Sequence, residues 1–127
     1  MVKTEIKTKG APNAIGPYSQ AVEIDGFIFC SGQIGADSKT NEVVNGGIKE
    51  QTDQVFENIR QVLHAAGATL DDVVKTTVFM TDLTEFSEMN ETYARNFKKP
   101  YPARATVQVA KLPKGAKIEI EAVAYLK

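Results

Sequence analysis

The sequence predicts an α+β fold in which two helices pack on one face of a mixed sheet, and three observations carry that reading. Short alternating or continuous apolar stretches, bounded by turn residues, recur along the chain; two longer stretches carry apolar residues at three-and-four spacing; and the two kinds interleave. The chain has 127 residues, 43% hydrophobic and 24% charged, so residues 1–127 are expected to form one folding unit with a real core. That length leaves no room for a cofactor domain beside a substrate domain.

The elements run strand, hairpin, helix, strand, helix, hairpin. Val22 and Ile24 alternate with Ala21 and Glu23, Asp25-Gly26 accepts positive φ, and Phe27-Ile28-Phe29-Cys30 follows, which reads as a β-hairpin. Gly35 to Gly47 is rich in Asp, Ser, Asn, Thr and Gly and is expected to be a loop. From Ile48 an apolar stripe runs through Val55, Ile59, Val62, Leu63 and Ala66 to a stop at Gly67, while Glu50, Asp53, Glu57, Arg60 and His64 form the solvated stripe.

Val73 to Met80 lacks helical period and reads as a buried strand, with Val74, Thr76, Val78 and Met80 on one face. A second helix has Leu83, Phe86, Met89, Tyr93 and Phe97 as its inner stripe, with Asn90 one turn from both Phe86 and Tyr93. Pro100-Tyr101-Pro102 ends it. Ala105 to Ala110 and Lys117 to Tyr125 then read as a closing hairpin across Leu112-Pro113-Lys114-Gly115. Two helices cover one face of such a sheet, and association of identical subunits is the simplest cover for the other.

Fifteen basic and sixteen acidic residues give a net charge of −1, so nothing draws the protein toward phosphate backbones or anionic lipid, and nucleic acid is a disfavoured partner. Met1 to Gly10 lacks the apolar centre of a signal peptide, and no run of eighteen apolar residues occurs, so a cytoplasmic protein without a membrane partner is expected. Cys30 is the single cysteine; no intrachain disulfide and no metal site is expected, and inside an apolar run it reads as an inert thiol. One histidine cannot serve a conventional triad, and HExxH, Walker A and GxGxxG patterns are absent. The chemistry left over needs an anchored substrate, a positioned water and one carboxyl group.

Arg104 enters a strand just after Pro102, and its fork suits a carboxylate; a structural ion pair with a neighbouring Glu is the plainer alternative. Thr106 and Gln108 share its face. Glu119 and Glu121 share a face of the last strand, and spacing alone neither chooses between them nor decides whether they face Arg104. Gly16-Pro17-Tyr18 presents a Tyr that could wall a pocket or lie on a surface turn. Ser31-Gly32-Gln33 could expose backbone N–H groups to an anion or mark a bulge, and Asn90 could fix a loop or face a polar pocket.

Taken together, these stretches resemble the RidA-type branch of the Rid family, also known as YjgF-like or translation-inhibitor proteins. The resemblance is carried by Ala14-Ile15-Gly16-Pro17-Tyr18-Ser19-Gln20, Ser31-Gly32-Gln33-Ile34, Lys75-Thr76-Thr77-Val78-Phe79, Asn90 with Tyr93, and Pro102-Ala103-Arg104-Ala105. Its most specific run is Val109 to Lys114 continued by Lys117-Ile118-Glu119-Ile120-Glu121-Ala122. The resemblance implies a chorismate-mutase-like fold with a six-stranded sheet, and a homotrimer with clefts between subunits. It implies hydrolysis of 2-iminobutanoate and 2-iminopropanoate, released by pyridoxal-phosphate enzymes, to 2-keto acids and ammonia, with no cofactor and no metal.

On the same basis Arg104 binds the substrate carboxylate, Tyr18, Ser31 and Gly32 line the cleft, Asn90 supports it, and Glu119 positions the attacking water. Thr106 stands in the substrate-binding set where many relatives carry Cys, so thiol chemistry does not transfer to this chain. Two alternatives stand beside the deaminase. One is a non-catalytic small-acid-binding trimer with a regulatory or chaperone-like role; the other is an RNA-directed endoribonuclease or translation inhibitor, against which the balanced charge argues.

Overall fold

The computed structural model describes residues 2–127, so the first residue of the Met1 to Gly10 stretch lies outside it. Strand β1 (Thr4–Ile6) pairs antiparallel with β2 (Ala21–Ile24), and β2 turns into β3 (Phe27–Ile34). The turn is made by Asp25 at φ 52° and Gly26 at φ 85°, the pair of positive values that a two-residue hairpin with native twist requires. Helix α1 (Ile48–Ala65) follows the 35–47 loop and ends at Gly67, which takes φ 82°. Strand β4 (Val73–Met80), helix α2 (Phe86–Ala94), β5 (Ala103–Gln108) and β6 (Ile118–Tyr125) complete the chain.

The mixed sheet has the order β1-β2-β3-β6-β4-β5, with β5 parallel to β4 and every other neighbouring pair antiparallel. The expected closing hairpin is therefore not formed: β6 lies between β3 and β4, two places from β5. Burial explains the exchange. Ile118, Ile120, Ala122 and Ala124 are all at most 3% exposed and need cover from neighbours on both sides, whereas no residue of β5 is buried. Polar Arg104 and Gln108 suit an edge, and α2 supplies the crossover that a parallel β4–β5 pair needs.

Val74 also departs from expectation. The β4–β6 register jumps between Val73, opposite Ala124, and Lys75, opposite Val123, so the strand carries an extra residue there. Val73, not Val74, joins Thr76, Val78 and Met80 under the helices, and Val74 is left exposed. On the second helix Leu83 lies in a 3-10 turn before α2 and is exposed, while Met89, Tyr93 and Phe97 are buried.

The core lies between the sheet and the two helices, where Ile28, Val55, Phe56, Ile59, Leu63, Val78, Met80, Met89, Ile118 and Ile120 are almost wholly buried. Each such side chain contributes roughly 1.5–3 kcal/mol of burial. The inner face of α1 also holds polar side chains that the apolar stripe does not reveal. Asn58 donates to the carbonyls of Ile34 (3.1 Å) and Ala36 (2.9 Å), and Gln51 Oε1 accepts from Lys117 N (2.8 Å). These bonds fasten the end of β3 and the start of β6 to the helix. The other sheet face is open, with Phe27, Phe29, Val107 and Tyr125 each more than 40% exposed. Among the described residues no helix is long and apolar enough to cross a membrane.

Candidate functional site

The residues singled out in the sequence fall into two groups on opposite faces of the sheet. Arg104 lies opposite Thr76 and Thr106 opposite Val78, on the face that the helices cover. Glu119 lies opposite Phe79 and Ile34, on the open face. Since β4 separates β5 from β6, about two strand spacings, roughly 10 Å, also part them within the sheet.

The first group is built where β5 meets α2. Arg104 Nη1 donates to Asn90 Oδ1 (2.8 Å), and its guanidinium carbon stands 4.6 Å from the Tyr93 ring centroid and 5.4 Å from that of Phe86. Both distances lie within cation–π range. Phe86, Asn90 and Tyr93 are spaced at i, i+4 and i+7, so one stripe of α2 makes the whole cradle. Among the described residues the ion pairs are Arg60 with Glu57 and Lys117 with Glu85, so no carboxylate neutralises Arg104. The guanidinium borders a cavity of about 440 Å³ with Asn90, Tyr93, Tyr101 and Pro102. Two residues further along the same face Thr106 places a buried hydroxyl oxygen that has no partner among the described residues.

The second group is built around a bulge in β3. Cys30 pairs with Ala122 and Gln33 with Ile120, which leaves one extra residue at Ser31-Gly32. The bulge brings Gly32 against Glu119 so closely that a Cβ there would lie 2.8 Å from the carboxyl carbon and from Oε2. Any larger residue at position 32 would push the Glu119 side chain out of this place. Ser31 donates its hydroxyl to the Ser19 carbonyl (2.6 Å) and its N–H to the Gln20 carbonyl (2.9 Å), so it holds the preceding loop and its hydroxyl is committed. Glu119 and Gly32 line a cavity of about 190 Å³ with Pro12, Ile15, half-exposed Tyr18, Pro113 and Lys114.

The environment acts on the titratable groups unequally. Burial, and secondarily the charge of Glu121, push the Glu119 carboxyl above the usual glutamate range. Glu121 itself is exposed on the same face, opposite Thr77. Burial alone pushes the Cys30 thiol up to about 12, which leaves it protonated and inert. His64 is exposed on the outer stripe of α1. Among the described residues no three His, Cys, Asp or Glu side chains are grouped to hold a metal ion.

Several residues around these groups were not marked by pattern. Gln20, only 3% exposed, donates to the carbonyls of Ala11, Pro12 and Thr8 and accepts from Thr8 N, shaping the 8–12 loop over the Glu119 cavity. Its signal is a polar residue just before a strand, beside a proline-containing loop with carbonyls to satisfy. Lys114 enters the same cavity from a turn at φ 57° and donates to the Asn41 carbonyl. Phe86 joins the Arg104 group on the same helical stripe as Asn90 and Tyr93, whereas Thr76 joins it through a bond between β4 and α2 that strand alternation does not report.

Residues 8–126 match the family model described as Endoribonuclease L-PSP. A RutC family protein of Pyrococcus abyssi is 53% identical over 125 residues, covering 98% of each chain. The human protein named 2-iminobutanoate/2-iminopropanoate deaminase is 50% identical over 124 residues, covering 98% of this chain and 90% of its own. Among solved structures, TdcF of E. coli with bound serine superposes with a TM-score of 0.91 at 40% identity, covering 98% of this chain and 99% of its own.

Proposed function

The chain belongs to the Endoribonuclease L-PSP family, the Rid/YjgF group that its motifs resemble, and from that premise we propose that it is a 2-imino acid deaminase working at clefts between identical subunits. The observation that carries the reading is the Arg104 guanidinium, held by one hydrogen bond and two aromatic faces yet matched by no carboxylate of the described residues. Such a group is a ready receptor for a small acid. The family supplies the imine: relatives at about half identity carry the deaminase name, and one relative holds serine, itself a small amino acid.

In this reading, subunits associate through the open sheet face, as a homotrimer with a chorismate-mutase-like fold, and the Glu119 cavity of one protomer meets the Arg104 cradle of the next. Exposed Phe27, Phe29, Val107 and Tyr125 support burial of that face. Arg104 holds the substrate carboxylate, Asn90 holds Arg104, and Tyr18 and Gly32 wall the carboxylate side. Ser31 acts by fixing the loop of Tyr18, and the unpartnered Thr106 hydroxyl is available to a polar atom of the ligand.

Glu119 accepts a proton from water as its oxygen attacks C2 of the imine, whose C=N π pair moves to nitrogen. The carboxyl then protonates that nitrogen. The C–N bond breaks as the added hydroxyl becomes the ketone carbonyl, and its proton returns through Glu119, so ammonia and 2-keto acid leave with the enzyme restored. A carboxyl lifted above its usual range suits a group that must both take and give a proton.

A coupled assay tests the proposal: threonine dehydratase and threonine, with and without this protein, following 2-ketobutanoate or semicarbazone trapping. Faster imine disappearance is expected. An unchanged rate with tight keto-acid binding would favour the non-catalytic binder, and steeply salt-dependent RNA cleavage would favour the nuclease.

A further inference from the structure

We propose that Thr76 is a positioning residue: its buried hydroxyl fixes the Tyr93 phenol, and through that ring sets the plane in which Arg104 presents its guanidinium. Its functional consequence rests on the carboxylate-anchor role proposed for Arg104.

Thr76 is 1% exposed, and the other inward positions of β4, Val73, Val78 and Met80, are apolar. Valine would fill the place and suit the strand equally well, so the hydroxyl needs a reason of its own. A hydroxyl buried without a partner is strongly unfavourable. Among the described residues its partner is the Tyr93 hydroxyl, at 2.7 Å.

Tyr93 is set by the core on its other sides. Phe56 meets it edge-on at 5.5 Å and 75°, and Phe97 packs at 4.9 Å and 47°. These contacts locate the ring, and the bond to Thr76 holds its tip. Arg104, opposite Thr76 in the parallel register, is carried over that ring at 4.6 Å. Sheet and helix are thereby joined in one relay: Thr76 on β4, Tyr93 on α2, Arg104 on β5. Burial raises the Tyr93 phenol, which keeps it protonated beside the guanidinium and able to donate. One Nη1 hydrogen is used by Asn90, so the orientation of the plane decides where the other donors point.

The test uses the full chain with four variants: Thr76→Val, Thr76→Ser, Tyr93→Phe and the Thr76→Val/Tyr93→Phe double. Thr76→Val should raise KM and weaken 2-ketobutanoate binding by roughly three- to tenfold with kcat within about twofold, and Thr76→Ser should restore both. Tyr93→Phe should match Thr76→Val, and the double variant should be no worse than either, because both act through one bond. The Arg104 Nε–H resonance, followed without substrate, should show a restricted side chain in wild type and a mobile one in Thr76→Val. Additive effects would overturn the proposal. So would a lowered folding temperature with unchanged binding and an unchanged Arg104 resonance, which describes a merely structural bond. Should the wild type turn over no imine, the deaminase reading falls, and the Arg104 resonance still decides whether Thr76 sets its position.

Discussion

The two groups of site residues are built on opposite plans. Around Arg104 the structure supplies partners: an amide oxygen, two ring faces and, behind one ring, a hydroxyl. Around Glu119 it leaves the carboxyl half-buried against glycine, in a cavity walled by apolar and neutral polar side chains together with Lys114. A cation that must recognise a carboxylate gains from being held still, because less orientational freedom is lost on binding. A carboxylate that must exchange a proton gains from lost solvation, because that lifts its pKa toward working pH. On the proposed reading, fixation would serve Arg104 as anchor and desolvation would serve Glu119 as base.

If that contrast is sound, Glu119→Gln has the largest effect. Turnover should fall ten- to a thousandfold, roughly, with keto-acid affinity changed far less, since size and much hydrogen bonding are kept while the base is lost. Glu121→Gln, on the exposed neighbour, is the control; equal behaviour of the two would end the special role of Glu119. Arg104→Ala comes next, at about 3 kcal/mol, or roughly a hundredfold in kcat/KM, seen as weakened binding of keto acid by calorimetry. Lysine there should recover part of the loss, since it keeps charge without the fork.

The two inactive variants together sharpen the comparison. Co-expressed, they should regain up to about a quarter of wild-type activity by random subunit mixing, because some clefts then pair an intact Arg104 with an intact Glu119 of another protomer. No recovery in a mixed oligomer verified by native mass spectrometry would place both groups in one subunit's site.

The smallest effect is on stability. The folded carboxyl of Glu119 titrates above its unfolded value, so the ionised form is disfavoured by folding. The cost is absent below the ordinary glutamate range, where both states are protonated, and grows as pH rises toward the folded value. Glu119→Gln should therefore unfold at a slightly higher temperature than wild type at neutral pH, with the gain disappearing at acid pH. A constant difference across the range would show that the carboxyl is not desolvated.

How much of this was legible in advance varies with the distance over which a residue acts. Asp25-Gly26, the Val55, Ile59, Val62, Leu63 stripe and the Gly67 stop follow from local geometry and appear as read. Alternation places Val74 on the buried face because it is counted along one strand, and a bulge is decided by the pairing of two. The closing hairpin differs from the structure for a related reason: neighbours in sequence usually pair, and only competition for the buried centre of the sheet moves β6 away from β5. Asn58 and Gln51 look like surface polar residues until the loops whose backbone they satisfy are in place.

The sequence by itself determined the α+β class, the two helices, the hairpin at residues 21–30, the family, and the residue types on which the proposed site is built. Periodicity, turn chemistry and motif order are properties of the chain and survive without coordinates. Only the tertiary structure decided that Arg104 and Glu119 leave the sheet from opposite faces, that Glu119 and not Glu121 is desolvated against Gly32, and that Thr76 and Tyr93 stand behind Arg104. Each of these depends on strand order, on a bulge, or on a helix docking over a strand. Such relations arise between segments far apart in the chain, through burial and register that no single segment contains.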